Sequence, residues 1–303
     1  MKRISFFCCL TFFISTKAGA QFLKKADSLY NEGQLILAIE AYKESYNIDS
    51  SDDNNIYNLA CAFAQAGMPD SAFKYLYITS NLNSVETSLA DPDFLPLKKD
   101  KRWDVYENYL VALIQQKYDH PIADEDYARK LWRMKALDQA YYRDLELLRK
   151  KADTNASAEK TLWQKKEVLN KQNQKELEVL IAKKGWPKIS QVGNSAAAAA
   201  FLIIQHSELA LQKKYLPVIK NLCEKREAVW SSYALMYDRI QVSEKKPQRY
   251  GSQVNLNPQT NKHELFPLED ESKVDEWRKE IGMQPLANYL MNWDIKWEPK
   301  VKQ

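Results

Sequence analysis

The sequence predicts a mostly α-helical protein in two parts: a short array of paired helices, then a helical bundle carrying one small β-hairpin or ordered loop. Three observations predict it. Gly33, Ala38 and Tyr42 are echoed 34 positions later by Gly67, Ala72 and Leu76, the spacing of a repeated helix pair. Only seven glycines occur in 303 residues. The alternation of β-branched residues that marks strands is almost absent.

Residues 1–20 read as a signal peptide. Lys2 and Arg3 precede an apolar run from Ile4 to Ile14, and Ala18-Gly19-Ala20 forms a small-residue cleavage site that puts the mature start at Gln21. The run is shorter than the roughly 20 residues of a membrane-spanning helix, so no stable anchor is expected after processing. The expected destination is the periplasm or the exterior. Losing three basic residues takes the net charge from +4 to +1. A near-neutral surface argues against nucleic acid as a partner, since phosphate binding needs a concentrated basic face. Cys61 and Cys223 survive processing and read as small buried hydrophobes, with a disulfide between them left open.

The first part covers 21–118. Ala26, Leu29, Gly33, Ala38 and Tyr42 form one unit; Ala60, Phe63, Gly67, Ala72 and Leu76 form the next. Small residues at 26, 38, 60 and 72 let antiparallel helices approach closely. With the period, this pattern is that of tetratricopeptide repeats. Two repeats rarely bury a continuous core, so 90–110 should supply the missing layer. Asp91 would cap a turn opened by Pro92, and Phe94, Leu95, Leu97, Trp103, Val105, Tyr106 and Leu110 would make its apolar face. This layer resembles the closing helices of short tetratricopeptide arrays in exported bacterial proteins. A concave face implies a protein or peptide partner; the alternative is that the array only docks on the second part.

The second part covers 119–303. A long helix is expected over 124–151 and another over 158–184, separated by Asp153-Thr-Asn-Ala-Ser157 and stopped by Gly185-Trp186-Pro187. An alanine-dense helix follows from Ser195, placing His206 on a face with Ala199, Leu202, Ile203, Leu209 and Ala210. A fourth helix is expected over 217–240. Tyr250, Val254 and Leu256 face Leu265 and Phe266 across a polar stretch, which reads as a hairpin or ordered loop. Two short helices, 271–281 and 285–293, close the chain.

Five motifs in this order, Asp138-Gln139 with Arg143, Gly185-Trp186-Pro187, Gln205-His206, Asp238-Arg239 and Gln248-Arg249-Tyr250-Gly251-Ser252-Gln253, resemble the signature of an uncharacterised bacterial domain. That domain occurs alone or behind tetratricopeptide repeats in exported proteins. The resemblance spans about 120–290 and implies no reaction, cofactor or substrate.

Read chemically, Gln139 and Arg143 are four apart and share a face of the expected helix. Arg143 offers a rigid fork for a carboxylate, with Asp238 or Asp138 as acceptor. His206 is the candidate general base. Gln205, Arg239, Gln248, Tyr250 and Gln253 complete a polar cluster suited to a small polar ligand or a peptide end. Three readings follow: a binding site, a hydrolase using His206, or a structural network that locks helices and loop together. No phosphate loop, HExxH or GxSxG motif is present, and His120, His206 and His263 lack metal-ligand spacing, so neither metal nor cofactor is implied.

Overall fold

The computed structural model describes residues 7–79, 86–150 and 156–298, with side chains from residue 19 onward. Lys2, Arg3 and the start of the apolar run lie outside the described residues, as do Asp153 to Asn155. The architecture is mostly α with one small antiparallel hairpin, as the sequence predicts. Among the described residues, no helix is long and apolar enough to cross a membrane. The chain forms two compact units, 1–121 with 132–169, and 122–131 with 170–303.

The first unit opens with two helical hairpins, α1 (Phe7–Asn31) with α2 (Leu35–Ile48) and α3 (Asp53–Gln65) with α4 (Pro69–Ile78). Helix α1 runs unbroken through the expected cleavage point. Gly33 and Gly67 both take positive φ, +77° and +71°, at the turn of each hairpin, where a side chain would be strained. Ala26, Ala38, Ala60 and Ala72 are all fully buried, which permits the close helix approach that the spacing predicts. Asp52 caps α3 by accepting from the N–H groups of Asn54 and Asn55. Two 3-10 turns, Pro92–Phe94 and Leu97–Lys99, lead into α5 (Arg102–Tyr118). Phe94, Leu97, Trp103, Tyr106 and Leu110 are buried there as the apolar pattern requires. Val105 is not: it is 64% exposed.

The expected helix over 124–151 is two helices, α6 (Glu125–Gln139) and α7 (Tyr142–Lys150). The break sits at Tyr141, whose φ is +69°. Gln139 and Arg143 therefore do not share one helical face. A long helix, α8 (Ala156–Lys184), follows.

In the second unit, Gly185 ends α8 in a left-handed conformation, φ +77°. A short α9 (Ile189–Val192) precedes the alanine helix α10 (Asn194–Gln205), which packs on α11 (Leu209–Glu224) and α12 (Trp230–Ser243). Ala196, Ala199 and Ala200 are fully buried in it. The helix expected over 217–240 is thus divided: Pro217 lies inside α11, and the chain reverses at Arg226. His206 is the C-cap of α10, and Leu209 and Ala210 belong to the next helix, so the expected shared face is not formed. Strands β1 (Val254–Asn257) and β2 (Lys262–Leu265) pair antiparallel with Val254 opposite Leu265. Helices α13 (Val274–Glu280) and α14 (Leu286–Leu290) pack Val274, Leu286 and Leu290 beneath the hairpin.

Candidate functional site

The Gln248–Gln253 loop is built around one carboxylate. Asp238, on the buried face of α12, is fully buried. It accepts the backbone N–H groups of Arg249 at 2.8 Å, Tyr250 at 3.0 Å and Ser252 at 2.9 Å. Burial raises its carboxyl above the ordinary value, against the pull of those amides. Gln248, also fully buried, donates to the carbonyls of Gln253 and Phe266 and accepts from Gln253 N–H. Gln253 donates to Leu235 O and to Ser252 Oγ. Tyr250 presents its ring edge-on to Tyr233 and Tyr237. Gly251 has φ +65° and lies against Leu286. These groups converge, as the sequence suggests, but they face one another. Chemically the loop is a latch that fastens α12 to the hairpin and to α13–α14.

A residue absent from the sequence reading completes the latch. Arg278 of α13 is fully buried, donates to Tyr250 O and Gln284 O, and lies over the Tyr289 ring at 4.9 Å. Sequence spacing gives no hint of this, because Arg278 reads as an ordinary charge in a polar helix, Val-Asp-Glu-Trp-Arg-Lys-Glu. The Tyr289 hydroxyl donates to Ser252 O, so the C-terminal helices hold the loop from a second side.

The end of α10 is closed by side chains. Gln205 O accepts from Arg239 Nη1 at 2.9 Å and from Gln212 Nε2 at 3.1 Å. A cation on the last carbonyls of a helix is favourable to its dipole. Gln205 itself is buried, and His206 beside it is half-buried. Gln212 Oε1 is buried without a partner. The Gly185-Trp186-Pro187 turn packs Trp186 against Tyr215, the rings tilted by 47° with centres 5.2 Å apart. The slot next to it, lined by Trp186, Ala197, Phe201 and Val229, has a volume of about 20 Å³, the room of a single water.

Asp138, Gln139 and Arg143 belong to the first unit. Asp138 is buried and accepts from Gln139 Nε2 at 2.6 Å, and its carbonyl takes the Lys166 ammonium. Arg143 donates to Tyr30 O at 3.0 Å and lies 3.9 Å over the Tyr30 ring. The carboxylate nearest its guanidinium in this unit is Asp93, 3.9 Å away. Asp238, the acceptor suggested by sequence, is filled by the latch amides instead.

The first unit also carries an exposed aromatic face that the sequence reading missed. Tyr77 and Ile78 at the end of α4 are 45% and 37% exposed; Val105 and Tyr109 on α5 are 64% and 44% exposed. Their rings are ordered: Tyr77 meets Tyr106 at 5.1 Å and Tyr109 at 5.6 Å. Helix α5 therefore has two apolar stripes. Positions 103, 106, 110 and 114 are buried; 105, 109 and 112 form a second stripe, exposed, at i, i+4 and i+7. Assigning Val105 to the core hid that second spacing.

Residues 125–302 match the profile of DUF6624, a family of unknown function, and the chain belongs to that family. The match includes every part of the latch. No curated protein and no solved structure matches the chain.

Proposed function

We propose that this is an exported protein-interaction protein, in which a short tetratricopeptide array docks a partner chain through the Tyr77, Val105 and Tyr109 face. The observation that carries the reading is the exposed second stripe of α5. The terminal layer of a repeat array needs a polar outer face to stay soluble alone. Here that layer shows tyrosines and valine, the composition of an interaction patch with a rim of charge from Asp104 and Lys117. Export is supported by the Lys2-Arg3 start, the apolar run and the Ala18-Gly19-Ala20 site. In this reading the 248–253 loop of the second unit is scaffold, because Asp238 and Gln248 spend their side chains on backbone amides and carbonyls.

The test is a photo-crosslinking amino acid placed at Val105 or Tyr109 in the producing cell, with exposed Glu224 of the second unit as control. Discrete polypeptide adducts from 105 and 109 and none from 224 are expected. Adducts indistinguishable from the control would reject the docking face.

A further inference from the structure

The turn that closes the repeat unit is held by acids. Phe94 is fully buried in the 3-10 turn Pro92–Phe94, edge-on to Tyr57 at 5.6 Å and tilted against Trp103. On either side of it a carboxylate meets a tyrosine hydroxyl. Tyr57 Oη donates to Asp91 Oδ2 at 2.6 Å, and Tyr30 Oη donates to Asp93 Oδ2 at 2.5 Å. Gln65 Nε2 grips the main chain by donating to Asp93 O at 2.8 Å. The groups acting on Asp93 come from every element around it: Tyr30 on α1, Tyr57 and Cys61 on α3, Asp91 in the same turn, Arg143 and Asp144 on α7. Arg143 is the cation among them, and its guanidinium stands off at 3.9 Å.

We propose that the Asp91–Phe94 turn is a proton-controlled clasp on α1 and α3, fastened when Asp93 is neutral and loosened when it ionises. A neutral Asp93 still accepts from Tyr30 and does not repel Asp91. An ionised Asp93 sets two carboxylates, two residues apart and half-buried, against the Arg143 guanidinium at 3.9 Å from Asp93 and the Lys98 ammonium, which acts on Asp91. Burial and then the Asp91 charge push the Asp93 carboxyl up to about 6, against the pull of Tyr30 and Arg143. The sign follows from linkage. A carboxyl raised in the closed form favours closure fully below its ordinary value of 3.8, and that contribution is lost as pH rises through about 6. The opening constant should rise roughly tenfold between about pH 5 and about pH 7.5. Opening would uncover Tyr30, Tyr57 and Cys61. The clasp stands whether or not the α5 stripe is a docking face.

Hydrogen exchange on the full chain tests it, with each rate divided by that of the unfolded chain at the same pH. The N–H groups of Asp93, Phe94 and Leu95 are bonded within the turn and report its opening. Their protection should fall roughly tenfold from pH 5 to pH 7.5, while amides of the alanine helix α10, which carries no carboxylate, hold steady. Asp93→Asn should keep the low-pH protection at both values. Equal protection in the wild type, a matching change in α10, or a pH effect that survives Asp93→Asn overturns the clasp. Should Asp93→Asn not fold, carbon NMR of the wild-type aspartate carboxyls decides. An Asp93 midpoint well above its ordinary value, moving higher in Arg143→Gln, supports the proposal, and a midpoint near the ordinary value rejects it.

Discussion

A β-carbon on Gly251 would sit 2.7 and 2.9 Å from the δ-methyls of Leu286, and φ there is +65°. Two separate costs therefore attach to any side chain: left-handed backbone and overpacking against a fully buried leucine. Gly251 is what lets the loop turn its amides onto Asp238 while Leu286 closes from the other side. Gly251→Ala should destabilise the protein by about 2–4 kcal/mol, read as a lower urea midpoint at unchanged slope. Gly67→Ala is the comparison. Its φ is also positive, but nothing lies within 4 Å of an added β-carbon, so it should lose only the backbone term of about 1 kcal/mol. Equal losses at both positions would mean that Leu286 does not press on the loop.

At the scale of elements, the reversal after α11 is a Schellman turn with the wrong residue in its left-handed position. Arg226 N–H donates to Cys223 O, Glu227 N–H donates to Leu222 O, and Arg226 has φ +60°. Arg226 is exposed, so Arg226→Gly removes strain without removing packing. It should stabilise by about 0.5–1 kcal/mol, a rise of a few degrees in Tm. No change would show that the exposed arginine stem offsets the strain. The same turn explains a limit of the sequence. Gly33, Gly67 and Gly185 announce their turns, because glycine is the residue that takes positive φ freely. Arg226 and Tyr141 take it without announcing anything, so two breaks were invisible and two helices were read as continuous. The break at Tyr141 in turn moved Arg143 out of register with Gln139. The close packing of the first two helical hairpins was legible, since alanines at fixed spacing, all buried, leave few alternatives. The convergence of Gln248, Tyr250 and Gln253 with Asp238 was legible, a closed network being one of the three readings, but Gln139 and Arg143 were wrongly drawn into it. Which way a glutamine or aspartate faces depends on backbone amides that carry no side-chain signature.

Across the whole chain, the two cysteines left after the expected processing report on its two units separately. Cys61 lies in α3, 4% exposed, and Cys223 in α11, 3% exposed; both are free thiols. Each is held from its thiolate by burial, Cys61 well above its ordinary value and Cys223 pushed up to about 11. A buried, protonated thiol is a poor nucleophile, so neither should react or pair in an oxidising compartment without local opening. Native-state alkylation should therefore be slower than in the unfolded chain by a factor on the order of 10³ or more at both sites. Digestion and mass analysis would read the two sites apart. The clasp adds an asymmetry: Cys61 lies beneath the Asp91–Phe94 turn, and Cys223 does not depend on it. After correction for the thiol's own ionisation, Cys61 labelling should speed up between pH 5 and pH 7.5 while Cys223 holds constant. Parallel acceleration at both cysteines would assign the pH effect to global unfolding, and rapid labelling of Cys223 in the native protein would contradict the packing of α11 against α12.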